Sequence, residues 1–562
     1  MKIQPTPLAL CALLAACAGT STRDEAALLR AEQAIRAEEV LADIAALSSD
    51  AFEGRGPGSA GEERTLEYLA AAFERAGAVP GNPDGSWFQE VPLVGFQTKA
   101  YGQLRVGEQR MELAFPDDFV AVTHHTAPVV RVGDSEVVFV GYGVVAPEYG
   151  WDDFKDVDVR GKTVVMLVND PPLVDPADPT RLDDAMFRGR AMTYYGRWTY
   201  KYEIASERGA AACILIHETG PAGYPWEVVT GSWGGEGFDV RRADGNAGRV
   251  PVEAWISEPT ARRFLKGAGF DLDTLKRQAL MPGFHPVALG ARADFELSTT
   301  LREVTSHNVV AAIPGQGPHA DEWIVYSAHW DHLGVDPARA GDGIYNGAVD
   351  NATGTAGLVA LARAYTALPE PPRRSVLLLA VTAEEKGLLG SKHYAANPLY
   401  PLEKTLCDIN MDALNPWGRT LDVVSVGLGQ TTLDEHLEAV AGAQGRRVVP
   451  DAEPEKGYYY RSDHFEFAKR GVPALYADAG MEYRDRPEGW GEERRGAYTR
   501  DDYHKPSDEV GDDWELSGLV EDLCLFFRVG LRVIDDPRWP AWREGTEFKA
   551  VREATLSASS GT

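Results

Sequence analysis

The sequence is poor in cysteine, in positive charge and in long apolar runs, and each shortage removes a class of protein. Five cysteines in 562 residues build no disulfide framework. Cys213, Cys407 and Cys524 each lie inside an apolar run ("AAACILIH", "TLCDINM", "DLCLFF"), where a thiol serves as a small core residue, not as a metal ligand. Lysine and arginine number 56 against 85 aspartates and glutamates, a formal charge of −29. That balance excludes a nucleic-acid surface and an electrostatic grip on anionic lipid. Beyond the start of the chain nothing approaches the ~20 apolar residues of a membrane-spanning helix. What remains is an acidic globular protein, 44% hydrophobic and 9% aromatic, too long for one ordinary core. Two or three domains are expected.

The first residues stand apart. Lys2 followed by "PLALCALLAACAGT" has the basic start, short apolar run and small residues of an export signal. Leu14-Ala15-Ala16-Cys17 resembles the bacterial lipobox, in which the cysteine is acylated and becomes the mature amino terminus. The alternative is a plain secretory signal cut near Ala18.

Residues 24–50 carry helical periodicity, "SSDAFEGRGPGSAGEE" reads as a turn, and a second amphipathic helix is expected from Glu62 to Ala76. From Val129 to Ala293 the texture is β-rich, with runs such as "SEVVFVGYGVV" and "GKTVVMLVND" between Gly, Pro and Asp clusters, and reads as an inserted domain. From His307 onward apolar strands alternate with helices, an α/β architecture. The last twenty or so residues, ending "ATLSASSGT", show no periodicity and read as a loose tail.

In the C-terminal half each strand exit delivers a donor. "SVLLLAVTAEEKGLLGS" runs a buried strand into Glu384 and Glu385, with a helix expected from Lys386. "WIVYSAHWDH" delivers His329, with Asp331 placed to hold the imidazole's other nitrogen. "YNGAVDNATGTAGL" delivers Asp350 before a helix that Asn351 or Thr353 can cap; "TLCDINMDAL" delivers Asp412; "YTRDDYHKPSDE" delivers His504 in a polar loop. Singly each has an ordinary structural explanation, the glutamate pair as first-turn acids and Asp350 as an N-cap. Together they are the nitrogen and oxygen set that zinc accepts. Five ligands exceed one tetrahedral catalytic ion and suit two metals sharing a carboxylate, which leaves one glutamate free to take a proton from water.

The order "AHWDH", "NGAVDNATG", "TAEEKGLLGS", "NMDA", "DYHKPSDE" resembles the co-catalytic zinc peptidases of family M28, closely over about residues 300–535. The resemblance implies a mixed sheet flanked by helices and two Zn²⁺ per chain. Asp350 would bridge the ions, His329 and Asp412 would complete one site, and Glu385 with His504 the other. Glu384 would be the general base and Tyr503 a further donor to the oxyanion. His332 could compete as a ligand, but the family pattern uses the first histidine. "YYYRSDHFEFAKRGVPAL" matches a family motif around Ser462, Asp463 and His464, for which a supporting or substrate-side role is expected beside a capping box between Asp463 and Glu466. The implied organisation is a lipoprotein signal over 1–16, a lead-in and first part of the peptidase domain over 17–128, an insert over 129–293 resembling a protease-associated domain, the main peptidase domain over 294–540 and the tail over 541–562. The implied activity is release of amino-terminal residues from peptides. Alternatives are carboxypeptidase or glutaminyl cyclase action on the same fold, and a lipid-anchored binding module without catalysis.

The lipobox gives a prediction. Wild-type protein should fractionate with bacterial membranes, because acyl chains contribute about 0.8 kcal/mol per buried methylene where the acidic body contributes no attraction. Cys17→Ser should lose acylation and either stall as precursor or turn soluble; mature wild type with an unmodified terminus beyond Cys17 would contradict it.

Overall fold

The computed structural model describes residues 23–560; the expected export signal and the lipidation site Cys17 lie outside the described residues. Its centre is a set of parallel strands. Trp323–His329 is flanked by Ser375–Val381 on one side and Thr405–Asn410 on the other, and Ala474–Ala479 pairs parallel with the latter. Every residue of the first three is buried, as expected where helices cover both faces and the strands read as continuous apolar runs. One covering layer holds Ala37–Leu47, Thr353–Thr366 and Ser517–Asp535, whose Val40, Ile44, Leu358, Phe526 and Val529 share a single apolar cluster with Ile324 and Leu378. The lead-in helices fall where periodicity put them, at Glu25–Glu32, Ala37–Leu47 and Ala60–Arg75. Ser59 caps the last, accepting from Gly61 N at 3.1 Å and Glu62 N at 3.3 Å.

The sheet is mixed and does not stop at this core. Val287–Ile313 pairs antiparallel with Ser375–Val381 at one end and with Val129–Phe139 further back. It also runs beside Phe88–Val106 from Val309↔Phe88 to Ala291↔Val106. This ribbon carries the sheet into a second body, where Val129–Phe139, Thr163–Leu167, Ala212–His217 and Val252–Ser257 are parallel and Phe119–Val122 closes the edge antiparallel.

Three expectations need correction. The second apolar cluster begins before residue 129 and ends after 293, since it includes Leu104, Leu113, Phe119, Phe295 and Leu297; the strands that carry the chain in and out also close its core. Nor is this body merely β-rich, because Trp198–Glu207, Glu258–Gly267 and Leu272–Ala279 are helices packed on its parallel strands. The tail is a helix, Lys549–Ser560. It is secured by Arg552, which donates to Leu402 O at 2.9 Å and Thr405 O at 2.8 Å, and by Phe548 against Trp542 and Phe465.

The two bodies share a buried charge cluster. Asp239 accepts from Lys392 Nζ at 3.0 Å and lies 3.1 Å from His124 Nδ1, while Glu253 accepts from Arg249 at 2.9 Å. Lys392 stands on Leu389–Ala396, the helix that follows Glu384 and Glu385. Burial alone would raise both carboxyls, but the cations outweigh it, Lys392 and Arg249 holding Asp239 well below the usual range and Arg249 and His124 holding Glu253 at about 2. A carboxyl depressed on folding stabilises the fold fully above its unfolded pKa and loses that contribution as pH falls toward the folded value. Thermal melts should therefore show a loss beginning near pH 4.5 and continuing to about pH 2. Lys392→Met should cost about 1–3 kcal/mol at pH 7, a gap that narrows in acid. Equal melting of variant and wild type at pH 7 would contradict the latch.

Candidate metal centre

Parallel strands bring their carboxyl ends to one edge of a sheet, which is where α/β proteins bind ligands. His329 is the last residue of its strand, Asp412 lies two residues past Asn410, and Glu384 lies three past Val381. The helix after the glutamate pair starts at Leu389, later than expected, so neither glutamate is a first-turn acid. Both backbone N–H groups of the pair donate to the Asp331 carboxylate, Glu384 at 3.0 Å and Glu385 at 3.4 Å. Asp331 therefore does not hold the His329 ring through its carboxylate, which is 3.8 Å away; its backbone carbonyl does so, 3.1 Å from Nδ1. The short Trp330 step turns the Asp331 side chain toward the next strand's exit instead.

Asp350 precedes the helix Thr353–Thr366, and Asn351 does the capping, accepting from Gly354 N at 2.9 Å. Asn351 also accepts from Ala413 N and donates to Met411 O, so one carboxamide clips the Asp350 loop to the Asp412 loop. Asp508, four residues past His504, accepts from Val349 N at 3.0 Å and Asp350 N at 3.1 Å.

The donors converge. His329 Nε2 lies 3.2 Å from Asp350 Oδ1 and 3.4 Å from Asp412 Oδ1; His504 Nε2 lies 3.2 Å from Asp350 Oδ2 and 3.0 Å from Glu385 Oε2. The two oxygens of Asp350 thus face different histidines. Ligand atoms 2.0–2.1 Å from a tetrahedral ion stand roughly 3.3 Å apart, so these separations and this nitrogen and oxygen chemistry fit zinc. Trios with all ligand atoms within 4.8 Å are His329 with Asp350 and Asp412, His329 with Glu384 and Glu385, and His332 with Asp350 and Glu385. His332 is more involved than its sequence position suggested, its Nδ1 standing 2.6 Å from Glu385 Oε1. Since His504 faces the other oxygen of Glu385, His332 is placed to hold that carboxylate from behind.

The field is set by carboxylate crowding. Burial raises the Asp350 carboxyl, but His329 and His504 outweigh it and hold it well below its ordinary value. Burial pushes Glu384 up, and Glu385 and Asp412 push it further; its carboxylate makes no hydrogen bond or ion pair among the described residues. Burial opposes charge on both histidines, yet Glu384 and Asp350 raise His329, and Glu385 and Asp350 raise His504 to about 10.

Around these groups Ser462 donates to Asp412 Oδ2 at 2.6 Å and accepts from Asn410 at 2.7 Å, the supporting role its motif suggested. Asp463 forms no capping box: it makes no cap bond to its helix and accepts from Ser391 at 2.6 Å, because helix and loop pack closely enough to bury it completely. His464 is wedged between Tyr459 and Tyr476, ring centroids 4.7 and 4.9 Å away, and is a packing residue rather than a neighbour of the donors. Tyr503 stacks on His504 at 3.9 Å with its side chain partly exposed.

Arg55 was missed by sequence reasoning, which saw only a turn in "FEGRGPGS". Buried to 1% exposure, it donates to the carbonyls of Leu47, Trp330, Asn346 and Gly347 at 2.7–2.8 Å. One guanidinium thereby ties the lead-in to the loops carrying His329 and Asp350. Gly54 beside it has φ +60°, and a Cβ there would stand 2.4 Å from Gly334 O; at Gly347, φ +56°, a Cβ would meet the His332 ring at 2.6 Å. The Gly-Arg pair amid three further glycines was the available signal.

Residues 308–527 match the model of peptidase family M28. Over 141 residues the chain is 32% identical to mouse (Mus musculus) aminopeptidase NAALADL1, and 31% to the rat (Rattus norvegicus) protein, matches covering 24% of this chain and 17% of each relative. The chain thus spans about a sixth of the curated relatives it matches. Among solved structures, an aminopeptidase from Aneurinibacillus sp. strain AM-1 is 18% identical with TM-score 0.48, covering 92% of this chain and 97% of that one. A peptidase M28 precursor from Shewanella amazonensis SB2B gives 18% and 0.41 with the same coverage, and BSAP, a zinc aminopeptidase from Bacillus subtilis, 17% and 0.39 over 89% and 95%.

Arg55→Lys should keep the charge but not the four bonds, orphaning buried carbonyls at about 1–3 kcal/mol each. Chelator competition should show zinc released at least tenfold more readily, with a lower melting temperature. Unchanged zinc retention would separate Arg55 from the site.

Proposed function

We propose, from the match of residues 308–527 to the model of peptidase family M28, that the chain is a zinc-dependent aminopeptidase that releases amino-terminal residues from peptides and holds two zinc ions. The observation that carries this reading is Asp350, whose two oxygens address His329 on one side and His504 on the other at 3.2 Å each. His329 and Asp412 would hold one ion and Glu385 with His504 the other, Asp350 being placed to serve both. Bound zinc supplies Lewis acidity, polarising the scissile carbonyl and making water acidic near neutrality.

The chain's own groups do the rest. Glu384 stands beside the donors with no hydrogen-bond or ion-pair partner for its carboxylate among the described residues, its backbone fixed by Asp331. It accepts the proton of the attacking water and delivers it to the leaving amine as the C–N bond breaks. His332 and Ser462 hold Glu385 and Asp412 in place, as outer partners of ligating carboxylates do. Tyr503, stacked on His504, donates to the oxyanion. The body around residues 129–293 walls the cleft and limits substrate length, a reading supported by its contact with the metal-binding body through Met192 N, which donates to Pro454 O at 3.1 Å. Export and a lipid anchor at Cys17 would place the enzyme on a membrane of the bacterial envelope.

Chelator should abolish hydrolysis of aminoacyl-nitroanilides and zinc should restore it. Glu384→Gln should keep its metal while kcat falls by two decades or more, because a proton acceptor is removed and no ligand is. Wild-type kcat in that variant would sink the assignment.

A further inference from the structure

The strand Thr405–Asn410, which leads to Asp412, places Asp408 and Asn410 on one face, since alternate residues of a strand point the same way. Asp408 is a carboxyl with 0% exposure, and no lysine, arginine or histidine pairs with it among the described residues. Burial pushes it well above the ordinary carboxylate range, the hydrogen bond with Ser327 opposes that push, and the nearby Asp463 carboxyl adds to it.

Asp408 ends a chain of hydrogen bonds that begins at the metal centre. Ser327 Oγ stands 3.0 Å from Asp408 Oδ2 and 3.0 Å from Asn410 Oδ1, Asn410 Nδ2 stands 2.7 Å from Ser462 Oγ, and Ser462 Oγ stands 2.6 Å from Asp412 Oδ2. Ser327 lies opposite Asn410 in the parallel pairing and two residues before His329. The chain thus crosses between the two strands whose ends carry His329 and Asp412, the pair that faces one ion. Asp408, Ser327 and Asn410 are fully buried and Ser462 nearly so, and the chain's own atoms must supply its hydrogens.

Counting those hydrogens fixes their direction. A hydroxyl donates once and the Asn410 nitrogen faces Ser462 alone, so Ser327, Asn410 and Ser462 bring three hydrogens to four bonds. The fourth hydrogen sits on a carboxyl at one end, Asp408 or Asp412. A carboxylate that ligates zinc is ionised. Ser462 therefore donates to Asp412, Asn410 donates to Ser462, and Ser327 donates to the Asn410 oxygen. Only Asp408 is left to donate across the remaining bond.

We infer that Asp408 is a positioning residue that holds a proton and, through Ser327, Asn410 and Ser462, fixes Asp412 with Oδ2 occupied and Oδ1 left to the metal. The inference rests on the zinc peptidase reading. A neutral acid at this end keeps an unpaired ion out of the interior, which would cost far more than the one unpartnered oxygen, Oδ1 of Asp408, that it leaves. It also gives the chain a single polarity. An ionised Asp408 would draw the Ser327 hydrogen away from Asn410 and leave two acceptors facing each other.

Infrared spectroscopy of the zinc-loaded mature protein at neutral pH reads the proton. The C=O stretch of a protonated carboxyl should be present in wild type and weaker by one carboxyl in Asp408→Asn, whose carboxamide fits the same space and can donate to Ser327 as the acid does. Ser327→Ala removes the donor to Asn410 and should speed chelator-driven zinc release at least tenfold, with Asp408→Asn falling nearer to wild type than Ser327→Ala does. An acid band untouched in Asp408→Asn, or zinc release unmoved in Ser327→Ala, would overturn the inference while leaving the zinc reading intact. Wild-type protein that takes up no zinc would overturn both.

Discussion

The fold's dependence is on a crowd of carboxylates. Asp350, Glu384, Glu385 and Asp412 share one sheet edge with His329 and His504. Like charges so close raise one another's pKa unless cations separate them. Rigid parts hold the crowd: parallel strands fix the exits, Asn351 clips two loops, Asp331 grips the backbone of the glutamate pair, and Arg55 gathers four carbonyls. Such supports counter a repulsion that would otherwise loosen the loops, and a metal relieves it directly.

Seen from this edge, the rest of the chain divides by task. The lead-in helices complete the core and deliver Arg55. The ribbon of Phe88–Val106 with Val287–Ile313 extends the sheet into the second body, and the Asp239–Lys392 contact returns from that body to the helix that follows Glu384 and Glu385. Beside these, Met192 N with Pro454 O, Arg190 with Glu455 and Lys469 with Glu203 also join the second body to the first.

Much of the site was legible in the sequence because donors placed at strand exits depend on local pattern alone. His329, Asp350, Glu384, Glu385 and Asp412 each follow an apolar run or precede a capped helix, His504 lies in a polar loop, and the structure brings the six together. The supporting groups were less legible because their partners are distant in sequence. Asp331 was given to the ring two residues away, yet its carboxylate serves N–H groups more than fifty residues on. Arg55 acts across more than 270 residues, and Asp463 bonds Ser391 instead of its own helix. The same holds for the fold: core strands and early helices followed periodicity, whereas the edge of the second body was set by strands returning from outside it and the last helix by a few tertiary anchors.

Counting zinc tests the central claim most directly. Elemental analysis of the purified mature protein, equilibrated with zinc and freed of excess, should give two ions per chain, and Asp350→Ala should lose occupancy at both sites because each relies on one of its oxygens. A single ion in wild type, or full occupancy in the Asp350 variant, would contradict the shared carboxylate on which the account is built.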